Sequence, residues 1–410
     1  MHTQASAYWK SFFPSKRWSA VAIGLLITVA AGIHFNDLFI EHLTLGTLPE
    51  IRSGAWGDLN EWNMRLEQPD EYVSFEFLSA NKPKWNFGPL TSPAVRSLLL
   101  SLGCSEDQAN KLLTTQLADT QESMVLQPDE DTLLSLSPEV RSKLYLLLSQ
   151  NPANLGQIRP AYIPDGNVDR LFANHLGFDS RLIGLVKKLC YNRNGFTYFS
   201  DIEVVCSHLP TSEKRMEFVK ILTGLDVVKA RLMIRPDTDI EKPLSYWALS
   251  MPNVTLKDLR PLFEAAKSLP DGGDVSILFL LPPLARERLY TSPLPPDKTD
   301  TKIPDCFWTS LNFFQLQPDN RLSDPAFASR YLADNYYQIG KPDMAGDIVL
   351  FLTKENTYSH AAVYLADDVV FTKNGGNFGQ PWVLMHLKDL FGIYSATETI
   401  RPVYFRRRGI

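Results

Sequence analysis

Cysteine is scarce in this chain, which has four cysteines in 410 residues: Cys104, Cys190, Cys206 and Cys306. None of them belongs to a Cys-x-x-Cys pair or to a cysteine and histidine cluster with zinc spacing, so the sequence predicts neither a disulfide framework nor a metal site. Cys190 and Cys206 flank an Asn-Arg-Asn-Gly turn. They could form a disulfide in an oxidising compartment, or they could be two buried free thiols.

The sequence also lacks a glycine-rich phosphate loop, so we expect no organic cofactor, and it lacks an excess of basic residues. Its formal net charge of −5 argues against a nucleic-acid partner. With 44% hydrophobic and 21% charged residues, the composition is that of a globular protein. A chain of 410 residues is too long for one ordinary domain, and we expect more than one core.

A long apolar run covers residues 18–35, which contain no Asp, Glu, Lys or Arg and reach the length of a bilayer span. Basic residues precede the run and acidic residues follow it, which predicts a cytoplasmic N-terminus over 1–17 and an extracytoplasmic, periplasmic location for the bulk of the chain. The sequence therefore predicts a single-pass protein with the membrane as a partner. A cleaved signal peptide, with small residues at 30–32, is the alternative.

Helix-start signals recur through residues 91–290, after a mixed connecting region at 36–90. Ser92 and Ser137 each precede a proline, which is the pairing of an N-cap with a proline at the first helical position. Ser105 opens a capping box. Apolar residues spaced three and four apart follow these signals, so the sequence predicts an all-α domain over 91–290.

A short similarity inside this region suggests a repeat. Residues 138–145 and 283–290 match at proline, arginine, a basic residue, leucine and tyrosine, and 210–218 is a looser copy. Three degenerate helical units that stack into a common core are one interpretation. A non-repeating helical domain is the other.

A proline-rich polar stretch at 291–304 is predicted to be a linker to a C-terminal domain at 305–410. In that domain, Pro304 precedes an apolar-periodic run that predicts a helix beginning at Cys306. We expect a second helix after Pro325, followed by strands near 347–353, 361–366, 369–374 and 398–405.

Cys306 and His360 are candidates for a nucleophile and its base. A thiol at a helix N-terminus lies in a positive dipole field, which favours the thiolate. His360 introduces the strand at 361–366, and a hairpin that turns at 366–368 would place Asn374 directly across from it. A thiolate and an imidazole that a polar side chain orients are a workable arrangement for nucleophilic catalysis.

The segments Asp305-Cys306, Gly346–Phe351 and His360–Leu365, in this order, resemble the NlpC-type papain-fold cysteine peptidases of bacterial cell walls. The resemblance covers roughly residues 290–405 and implies a papain-like fold in which Cys306 is the nucleophile and His360 the base. Twelve residues after His360, where that family has its polar third member, stands Thr372, and Asn374 on the same strand face is the chemically stronger candidate.

Bulky residues follow the cysteine, where the family has a small Ser-Gly pair: Phe307 and Trp308. They leave two functions open. The first is a membrane-anchored, envelope-facing cysteine hydrolase that cleaves an amide in peptidoglycan peptides or in a protein, with a cell-wall peptide or envelope protein as partner and no metal or cofactor. The second is an inactive papain-like fold that serves as a binding or scaffold module, with the helical domain as its partner surface.

The expected fold is therefore an α+β papain-like C-terminal domain. An all-α region, repeat-like in one interpretation, and an N-terminal transmembrane helix precede it.

Overall fold

The strands in the part of the chain that the structure describes form four separate sheets, and all strand pairs within these sheets are antiparallel. The computed structural model describes residues 50–70, 82–117, 123–249, 254–293, 304–376 and 379–409. The strands in these residues are β1 (Glu50–Gly54), β2 (Gly57–Leu66), β3 (Trp85–Asn86), β4 (Val125–Leu126), β5 (Ala161–Ile163), β6 (Tyr191–Arg193), β7 (Phe196–Phe199), β8 (Leu225–Ile234), β9 (Gly273–Ser276), β10 (Tyr336–Ile339), β11 (Ile348–Thr353), β12 (Tyr358–Ala366), β13 (Val369–Lys373), β14 (Trp382–His386) and β15 (Ile400–Arg407).

Short helices connect and cover these sheets, and several begin where the sequence predicts. Ser105 accepts the Gln108 amide in a capping box, and Ser137 accepts the amide of Val140. The α-helices in the described residues are α1 (Ser92–Leu102), α2 (Glu106–Thr114), α3 (Glu130–Ser135), α4 (Pro138–Leu148), α5 (Leu155–Ile158), α6 (Val168–Phe172), α7 (Ser180–Leu189), α8 (Ile202–Cys206), α9 (Ser212–Thr223), α10 (Glu241–Leu249), α11 (Leu256–Lys267), α12 (Pro283–Arg288), α13 (Cys306–Leu311), α14 (Pro325–Asn335) and α15 (Leu387–Tyr394).

Two large sheets dominate the fold. The six-stranded sheet has the order β10-β15-β11-β12-β13-β14, and the four-stranded sheet has the order β1-β2-β8-β9. Strand β2 pairs with β8 from Asp58 opposite Met233 to Leu66 opposite Leu225, so residues far apart in sequence share one ladder. A three-stranded sheet (β5-β7-β6) and a two-stranded sheet (β3-β4) complete the set.

The prediction of an all-α region over 91–290 is wrong, because β4 to β9 lie inside it. Strand β8 shows the reason: most of its buried and half-buried residues alternate, which is the period-two pattern of a strand that a search for helical spacing passes over. The interpretation of three helical units that stack into a common core is also wrong. Helix α4 packs in one core with Leu222, whereas Leu284 of α12 packs in a different core with Leu232.

The prediction of a papain-like C-terminal domain preceded by an all-α region and a transmembrane helix is wrong as a fold class. The described chain is instead mixed α/β. The six-stranded sheet shares its core with the four-stranded sheet, since Leu350 and Val363 pack in the same core as Leu59 and Leu232. The linker prediction falls largely outside the described residues, because 294–303 are not among them.

The membrane prediction is corrected as well. No helix among the described residues is long and apolar enough to cross a membrane. The predicted anchor at 18–35 lies outside those residues. The structure therefore supports neither a single-pass membrane protein nor the membrane as a partner, and the periplasmic location that depended on the anchor is not retained.

Candidate functional site

Cys306 begins α13, as the sequence predicts, and Asp305 caps this helix by accepting the Trp308 amide at 2.8 Å. Helix α13 packs on the six-stranded sheet, where Thr309 accepts the indole N–H of Trp382 at 2.9 Å. The Trp308 ring lies in the core, with its Nε1 donating to Asn320. Trp308 is therefore a packing residue and not a plug in a cleft.

The Cys306 thiol is in an apolar environment. Only 5% of the residue is exposed. Burial, with a smaller contribution from the nearby Asp305 carboxylate, raises the pKa of the thiol to about 12. Since α13 has six residues, its dipole is too weak to offset this desolvation. The prediction that the helix dipole favours the thiolate form of Cys306 is therefore wrong for this conformation. With its raised pKa, Cys306 is a neutral thiol at neutral pH.

His360 lies on β12 and is fully buried. Its Nε2 is 2.8 Å from Thr372 Oγ1, and that hydroxyl donates a long hydrogen bond of 3.5 Å to the Ala361 carbonyl. The roles of donor and acceptor in the contact between Nε2 and Thr372 depend on the tautomer of the ring. Nδ1, the other ring nitrogen, has no hydrogen-bond partner among the described residues. Burial lowers the pKa of His360 to about 3, so the ring is neutral.

Cys306 and His360 lie on opposite faces of the six-stranded sheet. Cys306 packs with Ala361 on one face, whereas the His360 ring lies on the other face with Phe351. The pairing of β12 and β13 stops before it reaches His360, since the last β12–β13 pair on that side is Val363 with Phe371. The backbone N–H of Ala361 lowers the pKa of the Cys306 thiol, but this effect is smaller than that of burial. No direct hydrogen bond joins thiol and imidazole in this conformation.

The structure selects Thr372 over Asn374 as the partner of His360. The hairpin register would put Asn374 across from His360 if the ladder continued, but β13 ends at Lys373 and the chain turns away at Gly375, which has a φ of +79°. The Asn374 amide instead donates to the Met385 sulfur at 3.4 Å. Thr372 lies on the same face as His360, and its short side chain reaches Nε2.

Two residues that the sequence argument missed complete the site. The Tyr394 ring, at the end of α15, stacks on the His360 ring with centroids 4.0 Å apart and planes 27° apart. Lys373 is fully buried and donates to the Gly375 carbonyl. Burial lowers the pKa of Lys373 to about 8, although charge on Cys306 opposes this shift. Lys373 follows Thr372 directly, so it was within reach of the sequence argument, whereas no local pattern points to Tyr394.

A cleft of about 610 Å³ lies next to this site, and Tyr394 forms part of its wall. Asn374 also lines the cleft, together with the charged residues Arg65, Arg159 and Glu398. Neither Cys306 nor His360 lines it. Tyr394 therefore both lines the cleft and stacks its ring on the imidazole.

Helix α15, which carries Tyr394, is fastened to the three-stranded sheet. Tyr198 donates its hydroxyl to the Gly392 carbonyl at 2.6 Å, and Asn194 donates to the Ser395 carbonyl at 3.0 Å. A Cβ at Gly392 would lie 2.6 Å from the Tyr162 ring, so this contact requires glycine. The middle of the chain therefore sets where Tyr394 sits.

Comparison with known proteins adds no relative to this picture: no protein-family model matches the chain, and no curated protein or solved structure matches it. The NlpC-type resemblance consequently stays a prediction. Its assignment to the cell envelope rested on the membrane anchor and is not retained.

Proposed function

We propose that this chain is a cysteine-dependent amide hydrolase whose reaction centre is Cys306, His360 and Thr372. The observation that carries the proposal is the state of the imidazole. Nε2 is held by Thr372, and Nδ1 has no partner among the described residues, so Nδ1 is free to take a proton when the ring carries its proton on Nε2. An imidazole that a hydroxyl orients and whose second nitrogen is unengaged is what a general base requires.

The chemistry follows from these positions. As Cys306 Sγ attacks the carbonyl carbon, His360 Nδ1 takes the thiol proton and Lys373 favours negative charge on the sulfur. The C–N bond breaks, a thioester forms, and the proton passes from His360 to the leaving amine. Water then attacks the thioester through the same base, the carboxylic acid leaves, and the sulfur regains its proton.

The conformation described here is a closed one, because the Tyr394 ring covers His360 and both reacting groups are buried and neutral. Substrate enters from the cleft when Tyr394 moves aside. The cleft has the volume of a small-ligand site and side chains of both charges, which suits a short peptide. That peptide belongs either to peptidoglycan or to a protein.

A second candidate function is a binding or scaffold module without catalysis. The same burial favours it, since a thiol with a raised pKa and an imidazole with a lowered pKa are also the properties of inert core residues. The two functions differ in whether opening the Tyr394 side of the site creates reactivity.

The test is a cleavage assay with the full chain. Peptidoglycan fragments and a mixture of linear peptides are incubated separately, and new amines are detected by mass spectrometry. Cys306→Ala should abolish product formation, whereas Cys206→Ala, which also removes a buried thiol, should leave it intact. If the wild-type chain and a folded Tyr394→Ala variant both leave every substrate unchanged, the hydrolase proposal is wrong and the binding function remains.

A further inference from the structure

Three side chains of metal-ligand type meet where the two large sheets pack together, away from Cys306. They are Glu61 on β2, Asp368 in the turn between β12 and β13, and His386 at the end of β14. One potential ligand atom from each lies within 4.8 Å of the other two. The sequence predicts no metal site, because these residues are separated by up to several hundred positions and share no motif.

Glu61 is the member that calls for an explanation. Only 3% of the residue is exposed, and its Oε1 has no hydrogen-bond partner among the described residues. A buried carboxylate oxygen without a partner loses its hydrogen bonds to water and forms none with the protein, which destabilises the fold. This burial raises the pKa of Glu61 to about 7. A cation at the centre of the three residues would remove that cost.

The other two members already face each other. His386 Nδ1 is 2.8 Å from Asp368 Oδ1. Burial is the largest single effect and disfavours the charged imidazole, but the hydrogen bond with Asp368 and the negative charges of Asp368, Glu61 and Asp389 together raise the pKa of His386. Asp367 and Asp389 add negative charge nearby. Two basic residues also act on this cluster, and both are paired with other carboxylates: Arg52 with Glu50 at 3.0 Å and Lys388 with Asp165 at 2.9 Å. The local field therefore favours a cation.

We propose that Glu61, Asp368 and His386 form a binding site for a first-row divalent metal ion such as Zn²⁺. Two carboxylate oxygens and one imidazole nitrogen are a donor set that such ions accept. Ligand atoms lie about 2.0–2.2 Å from a tetrahedral Zn²⁺ and hence about 3.4 Å from one another. The three atoms lie within 4.8 Å of one another, so side-chain adjustments of about 1 Å would bring them to this spacing.

The ion would act as a clamp between the sheets. Glu61 belongs to the four-stranded sheet, whereas Asp368 and His386 belong to the six-stranded sheet, so one ion would join both. His386 also directly precedes α15, the helix that carries Tyr394. This site is independent of the proposed hydrolase function, and its presence or absence is measured without any substrate.

The experiment titrates the chelator-treated full chain with Zn²⁺ by calorimetry, and it counts bound metal after desalting by mass spectrometry. Glu61→Gln and His386→Gln should each remove one equivalent of bound Zn²⁺ or weaken its binding at least about tenfold. The matched control is the Glu130–His208 pair, an exposed carboxylate and imidazole 2.5 Å apart that lack a third ligand. Glu130→Gln and His208→Gln should change nothing.

Equal Zn²⁺ stoichiometry and affinity in the wild type and in folded Glu61→Gln and His386→Gln variants would overturn the proposal. If those variants do not fold, X-ray absorption of the Zn²⁺-loaded wild-type chain decides instead. A shell of nitrogen and oxygen with an imidazole contribution supports the site. A sulfur neighbour at about 2.3 Å, or a shell of water alone, refutes it.

Discussion

Removing the Tyr394 side chain tests the closed site most directly, because its effect on the Cys306 thiol can be worked out from the structure. A thiol pKa of about 12 in the closed conformation compares with about 8.5 for a free cysteine. At neutral pH this difference lowers the thiolate population by about three orders of magnitude, since each pKa unit is tenfold. Wild-type Cys306 should therefore alkylate far more slowly than a free thiol.

Tyr394→Ala removes the ring that stacks on His360 at 4.0 Å and lets water reach the imidazole and the thiol. Relief of desolvation should recover one or more pKa units, so alkylation of Cys306 by iodoacetamide at pH 7.5 should rise at least about tenfold. Because Tyr394 is only partly buried, its loss should cost about 1–2 kcal/mol of stability. The rate is measured by mass spectrometry of the peptide that contains Cys306.

Phe391→Ala is the matched control. Phe391 is also a partly buried aromatic residue on α15, but its ring packs on Phe351 at 5.5 Å instead of on His360. A similar acceleration in Phe391→Ala would mean that general loosening of the helix exposes the thiol. In the Tyr394→Ala background, adding His360→Ala should slow the reaction again, because the base is lost. If Cys306 reacts at the wild-type rate in Tyr394→Ala, the argument for a closed catalytic pair fails.

Three further predictions concern the same region. The pKa of His360 is about 3 in the folded chain and about 6.5 in the unfolded chain, so its contribution to stability is complete above pH 6.5 and is lost as pH falls towards 3. Urea unfolding should therefore show about 3 kcal/mol less stability at pH 4 than at pH 7. His360→Gln should remove this part of the pH dependence. Gly392→Ala, whose Cβ would lie 2.6 Å from a packed ring, should cost about 1–3 kcal/mol, whereas Gly184→Ala in an open helix position should be neutral or stabilising, and equal thermal shifts would contradict the packing argument. Thr372→Val, which leaves the buried Nε2 of His360 without its hydrogen-bond partner, should cost about 1–3 kcal/mol in urea unfolding, and a larger loss in Asn374→Ala would identify Asn374 as the residue that orients His360.

Local signals in the sequence determined a good part of the C-terminal secondary structure. Proline and aspartate at 304–305 predict a helix start at Cys306, and β-branched and aromatic runs predict strands close to β11, β12, β13 and β15. These elements depend on neighbouring residues, which is why they are readable. The same reasoning located the capped helices at Ser105 and Ser137. It missed β10, and it missed β14, whose first four residues are all buried and therefore show no period-two alternation.

Only the tertiary structure decided what surrounds the candidate residues. The Cys306 pKa depends on burial by the packed sheet, and this outweighs the dipole of a six-residue helix that the sequence suggested. Tyr394 reaches His360 because α15 is fastened to another sheet, a contact with no local sequence pattern. The meeting of Glu61 with His386 likewise depends on the packing of two sheets. Contacts between distant segments are set by packing, and a single sequence does not encode them in any short pattern.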